Sequence, residues 1–346
     1  MSENRLPILA LTMGDAAGVG PEVIAATWGN PEIQAICRPL VIGNPQILQR
    51  ASQLRASDLT VRVVDSPADL ARLPAERGVM DCLPVGSDDV LDVPAGVNDA
   101  RTGQAAFEAI TRATEMALAR EIDGVVTAPI SKAALHAAGH DYPGHTELLA
   151  ELCGVEEFAM MLYLPPGVAN KSPAGLGVAH VTLHTSMRTA LDMLSIEAVV
   201  EKCQLADDMM RKLGQPAPRI GVAALNPHAG EGGLFGDEEQ TIIAPAVAQA
   251  NAMGLKATGP LPADTLMIAA RDGAFDGVVA MYHDQGHIAL KLLAMHAAVN
   301  VTLGLPIVRT SVAHGTAFDR AWQGTAETTG MIAAIQTAAK LALQLP

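Results

Sequence analysis

Short apolar runs alternate with longer stretches of helical periodicity from one end of the chain to the other, and this alternation restricts the fold more than any other feature. Strands are expected at residues 8–12, 39–42, 59–64, 124–127, 159–164, 178–183, 220–225, 277–281 and 299–302. Helices are expected at residues 21–27, 102–120, 196–213, 238–253 and 326–345. In the second of these, Ala106, Phe107, Ile110, Ala113 and Ala117 repeat at the three-and-four spacing of one buried helix face. Strands that alternate with helices imply an α/β protein: a largely parallel sheet covered by helices on both faces. A length of 346 residues suggests two domains.

Composition narrows the class. Hydrophobic residues make up 49% of the chain but aromatic residues only 3%, so the core is built from Ala, Val, Leu, Ile and Met. An all-β sandwich, which leans on aromatic and β-branched side chains, is disfavoured. The formal charge of −14 argues against nucleic acid or an anionic membrane as the main partner. It leaves room for a small anionic substrate, because a few cations can dominate inside a cleft. Cys37, Cys82, Cys153 and Cys203 are widely and irregularly spaced, unlike a metal clip, and reduced thiols are expected. The N-terminus lacks the basic and long apolar regions of a secretory signal, and no apolar run reaches membrane-spanning length. These features point to a soluble, cytoplasmic protein.

The polar residues show where chemistry is expected. GVVTAPISK, VAHVTLHTSMR, GVAALNPHAGEGG and GVVAMYHDQG each place a short apolar strand directly before a cluster of His, Thr, Asn, Asp or Lys. In a parallel sheet such junctions share one edge, the carboxyl end of the strands, where open α/β proteins bind ligands. Three of the clusters bring a histidine: His184, His228 and His283. Three imidazoles converging from separate strands with a coordination position left open would form a catalytic metal site. Each histidine taken singly is better explained by a structural hydrogen bond than by metal ligation.

Other segments are less specific. TMGDAAGVGPEV, residues 12–23, is a strand, a glycine turn and a helix opening at Pro21, where free amides would suit an anion. It lacks the dinucleotide fingerprint, and tight strand–helix packing explains it equally well. His314, Gly315 and Thr316 follow a strand-like run ending at Val312, and the glycine would admit a flat ring or ribose. Lys132, Lys291 and Arg309 are the cations that lie in or beside the polar clusters; Arg309 suits a phosphate or carboxylate through its bidentate fork. Residues 165–177, PPGVANKSPAGLG, are expected to form an exposed loop with the option of acting as a lid.

Taken in order, TMGDAAGVGPE, TAPISKAALHAAGHDYPGHTELL, VTLHTSMR, NPHAGEGGLFGDEE, GPLPADTL, AMYHDQGHIALK and NVTLGLPIVRTSVAHGTAFD span essentially the whole chain. The sequence resembles the 4-hydroxythreonine-4-phosphate dehydrogenase family of pyridoxal phosphate biosynthesis. The opening glycine turn and HGTAFD also resemble the isocitrate and isopropylmalate dehydrogenases. That resemblance implies two α/β/α domains of the isocitrate/isopropylmalate dehydrogenase type with the active site in the cleft between them. The first domain would comprise roughly residues 1–130 plus 300–346, and the second residues 131–299 with the dimer contacts. It implies that His184, His228 and His283 ligate one divalent metal ion, with Zn, Co, Mg and Mn left open, and that the set is completed across the interface of a homodimer. His145, Thr146, Lys291, Asn300 and Arg309 match substrate-binding positions, and Asp264 falls on an acidic position near the site. Lys291 would serve as proton relay, with Asp264 as its partner. His314, Gly315 and Thr316 match the position of the cofactor's adenosine end, and NAD is the implied cofactor. Departures from the family pattern are Ala16 and Ala289, where proline is usual, and a longer loop at residues 165–177. None removes a chemical group.

YPGHTELL, GGLFGDEE and YHDQGHI resemble the branch that acts on 4-phospho-D-threonate or 4-phospho-D-erythronate. Its reaction oxidises the C3 hydroxyl and releases CO2, giving dihydroxyacetone phosphate. The alternatives are 4-hydroxythreonine-4-phosphate dehydrogenase, a cis-dihydrodiol dehydrogenase and a non-redox metal lyase. The intact His145, Thr146 and Glu147 count against the dihydrodiol branch.

Overall fold

The computed structural model of the chain describes residues 5–54 and 59–344. Residues 1–4, where the sequence was read for a leader, and Leu345, the expected end of the last helix, lie outside them. The chain divides into two compact units, Met1–Glu156 with Leu305–Pro346, and Glu157–Gly304. The first crossing comes later than residue 130, because helices Lys132–Ala137 and His145–Cys153 both pack on the long helix Ala100–Leu118 of the first unit.

The chain lays down β1 (Ile8–Thr12), β2 (Arg38–Gly43), β3 (Thr60–Val63), β4 (Val79–Pro84) and β5 (Gly124–Thr127) in the first unit. It continues in the second with β6 (Ala159–Leu164), β7 (Leu176–His180), β8 (Arg219–Ala223), β9 (Lys256–Leu261), β10 (Gly277–Ala280) and β11 (Val299–Leu303). It then returns to the first with β12 (Arg309–Val312).

In the first unit the strand order is β3-β4-β2-β1-β5-β12, and every neighbouring pair is parallel. Parallel strands buried on both faces need near-continuous apolar sequence, and β1 is buried at all five residues. Alternate residues serve opposite faces. Ile8, Ala10, Leu40, Ile42 and Val125 form a core with Ala109, Ala113 and Met116 of helix Ala100–Leu118. That helix is capped by Asp99, whose carboxylate accepts the Arg101 amide at 2.9 Å. Phe107 is half-buried: it packs against the cluster of Ile110, Leu148 and Leu149, and its ring stacks on His140 at 3.6 Å. Helix Thr329–Ala342 packs against β12, β5 and β1.

The second unit has the order β11-β6-β7-β10-β8-β9, with β7, β10, β8 and β9 parallel. β6 runs antiparallel to both β11 and β7. The cause is local: the connection from β6 to β7 contains no helix, and a parallel crossover needs one. This connection is the stretch expected as an exposed loop with the option of acting as a lid; it is exposed at Pro166, Gly167, Ala169, Lys171 and Pro173, and buried side chains between them pin it. The Asn170 side-chain amide donates to the carbonyls of Pro165 and Val168, each at 2.9 Å. Ser172, 2% exposed, donates to Asp276 at 3.0 Å. A segment held by buried polar side chains is not built to swing. Among the described residues no helix is long and apolar enough to cross a membrane.

Candidate functional site

Each unit carries polar clusters at the carboxyl ends of its strands. The cluster after β5 belongs to the first unit; those after β7, β8 and β10 belong to the second.

In the first unit Asp15, Thr127, Thr146 and Arg309 are buried. Arg309, 3% exposed, donates to the Thr127 hydroxyl at 2.7 Å. Burial pushes its guanidinium down to about 9, against the pull of Glu147, which still leaves it a cation at neutral pH. His145 opens helix His145–Cys153, and its ring is bonded to the backbone carbonyl of Ala128. Burial holds His145 well below its ordinary value, and the nearby charges of Arg309 and Lys132 add to the effect. A carbonyl only accepts, so the bonded nitrogen, Nδ1, carries the hydrogen. Nε2 therefore keeps its lone pair, and it is buried without a hydrogen-bond partner. Thr146 follows, 6% exposed.

Beside this group the glycine turn is tighter than an anion cradle. Gly14 has φ +73°, and a Cβ there would lie 2.4 Å from the Pro129 carbonyl oxygen, so only glycine fits. The amide of Ala17 is taken by the Asp15 carboxylate at 2.9 Å, that of Gly18 by the Asp15 carbonyl and that of Val19 by the Thr316 carbonyl. Three amides of the turn that leads into the helix are thus already used. Asp15 itself is fully buried. Burial pushes its carboxyl up to about 6, while the Ala17 amide and the Thr102 hydroxyl act in the opposite direction. Thr316 packs on the turn, and Gly315 faces open space: no atom lies within 4 Å of where a Cβ would be. The imidazole Nδ1 of His314 lies 2.9 Å from the Gly315 carbonyl oxygen.

In the second unit the polar groups line an open cavity of about 530 Å³. Thr182, His184, Ser186, Tyr282, His283 and Asp284 are among its walls. The rings of His184 and His283 are 5.8 Å apart. Nδ1 of His283 lies 2.7 Å from the Asp284 carboxylate, so it carries the hydrogen and Nε2 is left to bind a ligand. His228 sits on the loop after β8, where residues His228 to Gly232 all have φ between +45° and +74°. Buried Glu239 anchors the base of that loop by accepting the Leu225 and Asn226 amides at 2.8 and 2.7 Å. Burial opposes the charge on Glu239, yet the Asn226 hydrogen bonds outweigh it and hold the carboxyl low. The His228 ring lies 6.4 Å from Phe235. Strands β7, β10 and β8 are neighbours, so their ends are about 5 Å apart. Even so, among the described residues no three His, Cys, Asp or Glu side chains gather closely enough to hold a metal ion. One chain brings His184 and His283 together and does not add His228 as a third ligand.

Lys291 lies two turns beyond His283 on helix His283–Ala294, with His287 between them at the four-residue spacing that shares a face. Asp264 does not join it. Its exposed carboxylate accepts the Thr265 amide at 2.8 Å, and no ion pair links it to Lys291 among the described residues. Asn300 lies on β11, opposite Leu162 of β6. Sequence reading passed over Asp15, Thr127, His180, Asp284 and His287. His287 was open to detection through its spacing from His283, once HDQGHIALKLLA is recognised as a helix rather than a loop cluster. Burial pushes His180 down to about 4 and His287 down to about 3, with neighbouring imidazoles adding to both. All four cysteines are free thiols, and burial raises those of Cys37, Cys82 and Cys203 to about 12.

Comparison with known proteins places this architecture. Residues 35–338 match the family of the pyridoxal phosphate biosynthetic protein PdxA. The D-threonate 4-phosphate dehydrogenase of Cupriavidus necator is 45% identical, over 98% of both chains. The 4-hydroxythreonine-4-phosphate dehydrogenase of Trichlorobacter lovleyi is 46% identical, over 97% of this chain and 98% of its own. The crystal structure of the 4-hydroxythreonine-4-phosphate dehydrogenase from Klebsiella pneumoniae superposes with a TM-score of 0.83 at 42% identity, covering 97% of this chain and 99% of that one. Both the sequence and the two α/β units therefore agree on one assignment: this chain belongs to the PdxA family, whose members named here are dehydrogenases.

Proposed function

We propose that the protein is a cytoplasmic, NAD- and divalent-metal-dependent dehydrogenase that oxidises the C3 hydroxyl of 4-phospho-D-threonate or 4-phospho-D-erythronate. The product would lose CO2 and leave dihydroxyacetone phosphate. The observation that carries the phosphorylated substrate is the pairing of Arg309, a cation sealed from water, with His145 Nε2, a buried lone pair that no protein group satisfies. A buried lone pair of this kind is costly to maintain unless a ligand completes it. A substrate that carries both an anionic group for Arg309 to face and a hydroxyl hydrogen to donate to His145 Nε2 suits this pocket.

The donor chemistry fits a borderline divalent ion. His184 and His283 face one cavity, and Asp284 orients His283 with Nε2 outward. Two histidines from one chain fall short of the usual three protein ligands, which supports His228 being supplied from a second copy. An apolar face supports a homodimer as well: Ile288, Leu292 and Met295 follow one helical spacing and are 56%, 82% and 49% exposed. Open space at Gly315, beside the glycine turn, suits the adenosine end of NAD and supports His314, Gly315 and Thr316 as its contacts.

When bound, the metal would supply Lewis acidity at the substrate hydroxyl and NAD would take the hydride. The chain's own residues do the rest. Arg309 and Thr146 grip the phosphate or carboxylate, and His145 Nε2 accepts a hydrogen bond from the substrate. Asn300 fixes orientation. Oxidation yields a β-keto acid; as its carboxylate leaves as CO2, Lys291 delivers the proton that the carbon takes up. Asp264 is not needed for that transfer, and its exposure leaves it a role at the rim.

A second reading, 4-hydroxythreonine-4-phosphate dehydrogenase, is favoured by relatives of that name at equal identity. NADH formation from 4-phospho-D-threonate, 4-phospho-D-erythronate and 4-phosphohydroxy-L-threonine, assayed in parallel, separates the two. Preference for either sugar acid supports the proposal, and preference for the amino acid replaces it. Failure of all three leaves the dihydrodiol and non-redox lyase chemistries.

A further inference from the structure

Beneath the candidate ligand His283 lies a pair of histidines with no assigned role. His180 ends β7 and is fully buried. Its Nδ1 lies 3.3 Å from the Met160 carbonyl oxygen, and its Nε2 lies 3.1 Å from Nδ1 of His287. His287, 5% exposed, also places Nδ1 3.2 Å from the carbonyl oxygen of His283. The His287 ring then stacks on the His283 ring, 3.7 Å between centroids and 12° from coplanar.

Hydrogen-bond accounting fixes both tautomers. A carbonyl can only accept, so His180 carries its hydrogen on Nδ1 and keeps a lone pair on Nε2. The same rule, applied to the His283 carbonyl, puts the hydrogen of His287 on Nδ1. The two assignments are independent and they agree, because His287 Nδ1–H meets the His180 Nε2 lone pair. The contact also depends on Gly286, where a Cβ would lie 2.5 Å from His180 Nε2. The first turn of helix His283–Ala294 is thus seated on His180 through a position that admits no side chain.

We propose that His180 and His287 are a positioning pair that holds the His283 imidazole in the orientation a metal ion requires. His180 fixes His287 through one hydrogen bond, and His287 fixes His283 from two sides, at its backbone carbonyl and across its ring face. The pair complements Asp284, which sets the His283 tautomer but, being exposed, leaves the ring free to swing. This inference rests on the metal site proposed above.

The test is the affinity of the full-length protein for Zn²⁺ alone, measured by competition with a chromophoric chelator, in the wild type and in His287→Phe, His287→Gln and His287→Asn. Phenylalanine keeps the stack but has no donor. Glutamine has nearly the right size but places its amide where Nε2 was. Asparagine places an N–H where Nδ1 was. Expected is a loss of about 10- to 100-fold in Zn²⁺ affinity for the Phe and Gln variants, with the Asn variant, which keeps the donor but lacks the ring, losing less than the Gln variant. The Co²⁺-loaded forms should show the same division in their visible absorption. Should the Phe variant not fold, the contrast between Gln and Asn decides alone. Equal Zn²⁺ affinity in wild type, Gln and Asn variants overturns the positioning role while leaving the metal site standing. A wild type that binds no Zn²⁺ overturns the metal site, and the pair's role with it.

Discussion

The two units share an architecture and differ in how they treat their polar residues. In the first, Arg309, Thr146 and Asp15 are buried, as is Nε2 of the half-buried His145, and three turn amides beside them are satisfied by protein groups. In the second, exposed His184 and half-buried His283 line an open cavity whose ordered support lies beneath it in His180 and His287, and His228 is exposed on the loop after β8. The contrast fits a division of labour. Low-dielectric walls strengthen a fixed cation's grip on an anion. A metal centre needs exchangeable positions, so its ligands must stay reachable. On the function proposed above, the first unit would be preorganised for binding, and the second left open for a group that arrives with the substrate or with a second chain.

The sharpest way to break this comparison is to remove a ligand from the open side. His228→Ala should bring metal-dependent turnover to background while circular dichroism and melting temperature stay as in the wild type. Full activity in that variant would mean that the exposed imidazole has no part in the site. On the sealed side, Arg309→Lys keeps the charge and loses the fork. A charge-assisted hydrogen bond is worth about 1.5–3 kcal/mol, so kcat/KM should fall roughly 10- to 100-fold, with Zn²⁺ affinity unchanged. A parallel loss of Zn²⁺ affinity would erase the distinction between the units.

Smaller, and confined to stability, is the effect of Asp15. Its folded value of about 6 lies above the ordinary 3.8, so between those values the native state binds more protons than the unfolded chain. Stability therefore falls as pH rises through that window, and the penalty is fully present above it. Asp15→Asn should be more stable than wild type at pH 8, by about 3 kcal/mol, and should lose that advantage at pH 3. A constant difference across the range would show that Asp15 is ionised without cost. Last, Leu292→Glu should move the protein toward monomer in analytical ultracentrifugation and weaken Zn²⁺ binding in step. A stable dimer with that substitution would place the interface elsewhere.

The sequence exposed the fold best where one physical demand dominated. β1, β5 and β6 were read to the residue, because strands buried on both faces are unbroken apolar runs bounded by turns. β4 was missed because Asp81 interrupts it. That carboxylate is buried yet paired with Arg62 at 2.6 Å and Arg38 at 3.4 Å, a compensation that no local pattern announces. β9 was missed because Gly259 and Pro260 read as a loop, and an edge strand beside a register shift tolerates both. Helix His283–Ala294 was hidden behind its own chemistry: HDQGH looks like a site, and its polar residues mask the helical period. In the site, residue types at strand ends were legible, since topology brings every such end in one parallel sheet to one edge. Which of them are sealed and which open was not, because burial depends on contacts far apart in sequence, such as Arg309 with Thr127 or His287 with His180.

The most direct single measurement is NADH formation by the purified protein from 4-phospho-D-threonate, before chelation, after it, and after Zn²⁺ or Mg²⁺ is restored. Turnover that is lost with the chelator and recovered with the metal is the expected result. Turnover that is indifferent to the chelator, or metal binding without any NADH from this or the two related phosphorylated substrates, would contradict a metal- and NAD-dependent dehydrogenase.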